Sequence, residues 1–190
     1  MRQCSLHDPL FLDHVPSPIG TLLIVHDRDA RLHALDFEDH EPRMRRLLRL
    51  HYGQDGHNFV VKDGRVPKVI KQTLAAYFAG DLTAVDRIAV ATSGTGFQRD
   101  VWAALRNIAP GTTLSYGALA KAIGRPKAVR AVGLANGANP VAIVVPCHRV
   151  IGADTSLTGY GGGIDRKRWL LNHEGAHFKG ATAPRVPQAA

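Results

Sequence analysis

Between residues 10 and 37 apolar positions gather in three short runs, FLDHV (11–15), TLLIVHD (21–27) and RLHALDF (31–37), separated by SPIG (17–20) and DRDA (27–30). Short apolar runs of this length are strand candidates, and the Pro, Gly and Asp between them supply turn chemistry. The pattern predicts an antiparallel meander. From Pro42 the pattern changes: Met44, Leu47, Leu48 and Leu50 fall at helical spacing as far as His51, with Arg43, Arg45, Arg46 and Arg49 covering much of the rest. We read that arginine run as the solvated face of a surface helix, balanced by the acidic DFEDHE before it. A looser stretch, 53–65, leads to a second predicted helix from Pro67 to Ala79, closed by Gly80. Residues 81–95 predict one more strand and a polar linker, where we place a domain boundary.

Beyond that linker helical periods dominate, over 96–108, 116–123, 127–136 and 165–172. The expected fold class is α+β: a small antiparallel-sheet domain (1–95), a mainly helical domain (96–180) and a short Pro-bearing tail (181–190) expected to be disordered. LSYGALAKAIGRPKAVRAVGLANGANP (114–140) has the pattern of a helix-turn-helix, with the break at Gly124-Arg125-Pro126. Its second helix carries Lys127 and Arg130 among small residues, Ala128, Ala131 and Gly133. Side chains so small reach few base edges in a major groove, but let a backbone lie close in a minor groove. An αα-hairpin buried in a core fits the same pattern.

Charge sharpens this division. Residues 1–95 hold twelve Lys/Arg and twelve Asp/Glu, whereas residues 96–190 hold twelve and four, so the second half carries the whole formal +8. A neutral half joined to a basic one suggests that the second half meets a polyanion. No apolar run reaches membrane-spanning length, the N-terminus lacks the pattern of a secretory signal, and two cysteines are too few for a disulfide framework. We expect a reduced, cytoplasmic protein.

AIVVPCHRVIG (142–152) carries the candidate chemistry. Four apolar residues predict a buried strand that Pro146 ends, with Cys147 and His148 at its mouth. A free thiol has a pKa near 8.5, so a nucleophilic cysteine needs a base, and His148 backed by a carboxylate such as Glu174 would supply one. On an extended strand neighbouring side chains point apart, so the pair would need a bend or a bridging water. A structural cysteine and an activated nucleophile both stay open on this pattern alone.

PCHRVIG, followed by GYGGGIDRKRWLLNHEG (159–175), resembles the active-site region of the O6-alkylguanine-DNA alkyltransferases. SYG (115–117), RAVG and ANGANP within 130–140, YFAGDL (77–82) and GTGFQRDVW (94–102) follow the same family in order and spacing. SPIGTLLI (17–24) is most similar to the constitutive bacterial single-protein form. The resemblance implies direct repair, in which Cys147 takes the alkyl group from O6-alkylguanine, and from O4-alkylthymine, as a permanent thioether. It implies a monomer that binds double-stranded DNA through the minor groove, with Arg125, Lys127, Ala128, Arg130 and Ala131 at the interface. Arg130 enters the duplex in place of an extruded base. Tyr116 helps to turn the nucleotide out and then donates a proton to N3, and Asn139 braces the turn around the site. The backbone at Cys147 and Val150 reads the amino edge of guanine, and that near Tyr160 and Gly161 contacts O6. His148 takes the thiol proton through a water, with Glu174 behind it. Room near Thr158, Tyr160 and Asn136 sets the size of alkyl group accepted.

No cofactor is implied, because the substrate already carries the electrophile. Some members bind zinc through N-terminal Cys and His, but Cys4, His7, His14 and His26 make no recognised ligand spacing, so no metal is expected. Gly161 stands where many relatives have Ser. A non-catalytic module that flags alkylated bases is the alternative, and the presence of Cys147 argues against it. A papain-like hydrolase would need its Cys and His far apart in sequence.

Overall fold

The computed structural model describes residues 9–52 and 61–181. Cys4, His7 and, apart from Ala181, the expected disordered tail lie outside the described residues. The meander forms as predicted: β1 (Leu10–Val15), β2 (Leu22–His26) and β3 (Leu32–Phe37) pair antiparallel in sequence order. After β3 comes α1 (Glu41–Tyr52), and the chain returns as β4 (Val61–Asp63), which pairs parallel to β1 at the sheet edge. The sheet is therefore mixed, with order β3-β2-β1-β4, and not the purely antiparallel one expected. The helix between β3 and β4 carries the chain across the sheet, so β4 enters in the same direction as β1.

Both faces of this sheet are covered, which explains why β2 and β3 are apolar almost throughout. Leu23, Val25 and Ala34 pack beneath Met44 and Leu48 of α1. Leu22, Ile24, Leu35 and Phe37 share the main core with Val101, Trp102 and Leu105, Leu119, Val132 and the stretch from Val141 to Val145. Each Leu or Ile so buried contributes about 1.5–3 kcal/mol. That core runs across residue 95.

Next come α2 (Lys68–Phe78) and α3 (Gly96–Arg106). The strand expected within 81–95 is replaced by a 3₁₀ turn, Ala84–Arg87, and a single parallel bridge between Val90 and Leu32. Thr95 and Gln98 form a reciprocal cap that starts α3 immediately afterwards. Two residues, β5 (Leu114–Ser115), precede α4 (Tyr116–Ala122), which Ser115 caps through its side chain. Gly124, at φ 69°, makes the break to α5 (Val129–Gly137). Helix α5 starts two residues later than predicted: Pro126 sits in the turn, where Ala128 N–H bonds Arg125 O at 2.8 Å. Two more residues, β6 (Val150–Ile151), pair parallel with β5, and α6 (Ile164–His173) follows. None of the described helices is long and apolar enough to cross a membrane.

Candidate active site

The segment before Cys147 is not the predicted strand. After a lone bridge from Val141 to Leu35, Val144 N–H closes onto Ala142 O at 2.7 Å around Ile143, whose φ is 68°. Cys147 N–H then closes onto Val145 O at 2.8 Å around Pro146, at φ −80° and ψ 63°. These are two γ-turns, the first in the strained left-handed region that a β-branched residue rarely adopts. Four consecutive apolar residues are compatible with strand and turn alike. A side chain from outside the run decides between them. Asn139 Oδ1 accepts Val141 N–H at 3.0 Å and its Nδ2 donates to Val145 O at 2.8 Å, holding both ends of the coil.

The same amide nitrogen lies 3.1 Å from Cys147 Sγ and donates to it. Cys147 opens a 3₁₀ turn, Cys147–Arg149, and is only 5% exposed. Burial pushes its thiol above the ordinary pKa, against the Asn139 hydrogen bond and the nearby charges of Arg43 and Lys167, which favour the thiolate. A thiol so placed rests protonated and needs a base to react.

His148 offers one. Its Nε2 is 2.9 Å from Glu174 Oε1. A carboxylate only accepts, so Nε2 carries the hydrogen and Nδ1 is the bare basic nitrogen. Nδ1 is buried with no hydrogen-bond partner among the described residues, and no direct hydrogen bond joins it to Cys147. Burial holds the imidazole below its ordinary pKa despite Glu174, so His148 rests neutral. Glu174 also accepts from Arg149, Nε to Oε2 at 2.8 Å and Nη2 to Oε1 at 2.9 Å, and from Tyr77 Oη at 2.8 Å. Burial alone would raise this carboxyl, but the His148 and Arg149 contacts hold it far below the usual carboxylate range. The permanent guanidinium of Arg149 keeps it ionised.

Arg149, Tyr77, Lys167 and Arg43 were not singled out in the sequence as site residues. Lys167 is fully buried and donates to Val150 O at 2.6 Å and Thr158 O at 3.1 Å, with its pKa pushed down to about 8 by burial. It thereby ties together two strands of backbone beside Cys147. Arg43, expected on a solvated face, instead reaches across from α1: Nη1 pairs with buried Asp36, and Nη2 donates to Gly137 O at 2.9 Å and Asn139 O at 3.2 Å. A Cβ on Gly161 would stand 2.4 Å from the Arg43 guanidinium carbon, so the glycine leaves room for that clamp. Of the four only Arg149 carried a signal in the sequence, a permanent cation directly after Cys-His at the end of an apolar run.

The other expected residues fall into two groups. Tyr116 Oη lies 3.1 Å from Thr158 Oγ1, and the Tyr160 ring stands edge-on to His148 with centroids 6.4 Å apart. Arg125, Lys127, Arg130 and Ala131 are exposed on the helix-turn-helix, with Ala128 half-exposed, and the three cations have no ion-pair partner among the described residues. On α5 the exposed positions recur at Arg130, Ala131, Leu134 and Gly137, one continuous face, and Leu134 is 72% exposed. Val132 and Ala135 turn inward, and Trp102 Nε1 anchors the helix by donating to Ala135 O at 2.9 Å. Among the described residues, no group of three or more His, Cys, Asp or Glu side chains could hold a metal.

Comparison with known proteins gives a consistent picture. A family model described as the DNA-binding domain of 6-O-methylguanine DNA methyltransferase matches residues 96–176. The chain is 50% identical over 166 residues to a methylated-DNA–protein-cysteine methyltransferase of Salmonella typhimurium, covering 87% of this chain and 96% of that protein. Among solved structures, Mycobacterium tuberculosis OGT in complex with DNA is similar with a TM-score of 0.71 and 43% identity, over 88% of this chain and 92% of that one. The O6-methylguanine-DNA methyltransferase of Pyrococcus kodakaraensis aligns with a TM-score of 0.64 at 29% identity, over 88% and 99% of the two chains.

Proposed function

The chain belongs to the methylated-DNA–protein-cysteine methyltransferases and repairs DNA by direct reversal of alkylation, and from that premise we propose Cys147 as the sulfur that accepts the alkyl group from O6 of guanine. The observation that carries this assignment is the buried thiol held by Asn139, beside a neutral histidine whose other nitrogen is committed to an ionised carboxylate. His148 Nδ1 takes the thiol proton through a bridging water, and the Glu174 carboxylate stabilises the imidazolium that forms. The new S–C bond forms as the C–O6 bond breaks. Guanine leaves with the electron pair and takes a proton from Tyr116; the proton held by His148 is given up to water and Tyr116 regains one from water, so overall one thiol hydrogen is exchanged for one alkyl group. A thioether is not hydrolysed, and each molecule acts once.

The duplex binds through its minor groove to the exposed face of α5. That face is small-sided and apolar with Arg130 at one end, and Lys127 and Arg125 beside it neutralise phosphates. Arg130 fills the place of the extruded nucleotide, and Tyr116 pushes on its phosphate. The backbone at Cys147 and Val150 meets the amino edge of the base, Lys167 fixes the carbonyl of Val150, and the backbone of Tyr160 and Gly161 meets O6. Thr158 and Tyr160 bound the alkyl group, and O4-alkylthymine is the second substrate. The protein acts as a monomer in the cytoplasm. Residues 1–95 serve as a supporting domain and 96–180 as the one that carries out recognition and chemistry.

Intact-mass spectrometry after mixing with a duplex containing one O6-methylguanine tests this reading. We expect one added methyl, mapped to Cys147 and absent in Cys147→Ala. Binding of the duplex without any change in mass would replace it with the lesion-flagging module.

A further inference from the structure

Two walls of the site rest on one side chain from the other half of the chain. Arg43 of α1 donates through Nη2 to Gly137 O at 2.9 Å and to Asn139 O at 3.2 Å. Gly137 is the last residue of α5, directly after buried Asn136, and Asn139 in turn donates through Nδ2 to Cys147 Sγ at 3.1 Å. Over the face of the guanidinium lies the turn from Tyr160 to Gly163, closed by Gly163 N–H on Tyr160 O at 3.0 Å. A Cβ on Gly161 would fall within 2.6 Å of Cζ, Nη2 and Nε alike, above the plane of the group rather than at its edge. The next residue rests on the same half of the chain. A Cβ on Gly162 would collide with the Phe37 ring, and Arg166, which stacks on that ring, donates to Gly162 O at 3.0 Å.

An exposed arginine swings aside at little cost, but this one is held. Its side chain is 17% exposed, Nη1 pairs with the buried Asp36 carboxylate, and Nη2 serves two carbonyls. These donors turn inward and away from any phosphate. A guanidinium fixed by three acceptors offers a rigid, flat face. One group therefore touches both the peptide that carries the clamp of the nucleophile and the peptide expected to meet O6. Transfer requires sulfur, alkyl carbon and O6 in line, so its rate depends on how far apart those two walls are held.

We propose that Arg43 is a positioning residue for alkyl transfer, spanning the site from Asn139 to Gly161 and fixing the separation between Cys147 and the backbone that meets O6. The proposal rests on the transfer reading above and adds to it a side chain from the supporting half. Shape, more than charge, is what the span uses. A lysine would carry the same charge and keep a pair with Asp36, yet its single nitrogen gives no flat face to Gly161 and no fork for two carbonyls. Gly161 completes the fit. It has no positive φ, so what keeps the position free of a side chain is the guanidinium against it.

The test uses the full chain, with Arg43→Lys and Gly161→Ala made singly and together. Removing the cation outright would leave the Asp36 carboxylate buried without one, so Arg43→Lys is the substitution that keeps the fold. Three quantities are measured: the single-turnover methyl-transfer rate at saturating O6-methylguanine duplex, the duplex concentration giving half that rate, and the iodoacetamide rate at Cys147 against pH. We expect Arg43→Lys to slow saturated transfer about ten- to a hundredfold, the effect of a ~1 Å misplacement. The half-saturating concentration and the iodoacetamide profile should stay as in the wild type. Gly161→Ala should slow transfer by itself and add little to Arg43→Lys, since both act on one contact. An unchanged transfer rate in Arg43→Lys overturns the proposal. So does a raised half-saturating concentration at full rate, which would make Arg43 a DNA contact. An iodoacetamide rate that falls as far as transfer would make it part of thiol activation, and overturns the proposal too, as does full additivity of the two substitutions. Failure of the underlying reading shows separately, as a wild-type protein that gains no methyl.

Discussion

The coil from Asn139 to Arg149 and the outer face of α5 adjoin in the chain but follow opposite rules. In the coil every residue is buried, the backbone takes a rare conformation, and charged side chains are fully enclosed by partners. On the helix face the side chains are small or solvated, the backbone is regular, and Arg130 has no ion-pair partner among the described residues. Chemistry on a thiol demands the first arrangement, because proton transfer depends on donors and acceptors fixed to a fraction of an ångström in low dielectric. Capture of a polyanion of any sequence needs only the second, where shape and positive charge suffice. The two regions should therefore fail differently when altered.

The largest effect is expected at Glu174. Replacing it with Gln leaves Arg149 buried with a neutral partner, and we expect a loss of about 3–5 kcal/mol in urea unfolding, together with loss of methyl transfer. The carboxyl's folded pKa is depressed, so its stabilising contribution is present above the unfolded value and is lost as pH falls toward the folded one. Wild-type stability should thus decline below about pH 4.5, and Glu174→Gln should lack this part of the decline. Equal stability of the two proteins at pH 7 would mean the coil does not depend on its charges.

Tyr77→Phe is a milder probe of the same region. Losing a hydrogen bond to a charged group costs about 1.5–3 kcal/mol, yet it concentrates negative charge on Glu174 and so favours the His148 imidazolium. The iodoacetamide rate at Cys147 should then begin to rise at lower pH than in the wild type. An unshifted profile would make Tyr77 purely structural and sharpen the line between holding and reacting.

Arg130→Ala should move stability least, within about 0.5 kcal/mol. Its effect belongs to the duplex. Affinity should fall by about 1–3 kcal/mol, measured by titration with labelled DNA, while iodoacetamide alkylation stays at the wild-type rate. A large change in the urea midpoint would show that the helix face is not independent of the core.

Much of this was legible in the chain itself. Short apolar runs between turn residues located β1 to β3, and the 3.6 period located all the long helices, because each of these elements packs apolar side chains against a core. PCHR and its flanking residues located Cys147, His148 and Glu174. What stayed hidden depends on contacts between distant residues. The run Ile143-Val144-Val145 has no period to distinguish strand from turn, and it is Asn139 that imposes the γ-turns. Arg43 looked like its neighbours Arg45 and Arg46, since nothing local says that one arginine of a run will turn inward to Asp36. Residue 77 was visible only as part of YFAGDL, and its bond to a carboxylate 97 positions away leaves no mark on periodicity. The parallel edge strand β4 is three residues long, too short for any alternation to stand out.

The reach of Arg43 and Tyr77 across residue 95 bears on how such a chain can be inherited or recombined. The segment matched by the family model contains the thiol and the whole helix-turn-helix, and looks like a module that could travel alone. Yet one donor to Glu174 and the cation bridging Gly137 and Asn139 come from the other half. A hybrid that joins this C-terminal half to a foreign N-terminal one keeps every residue of the motif and still lacks two of the groups that hold it. The seam visible in composition is not a seam in the working part, so the two halves are free to diverge only as a pair.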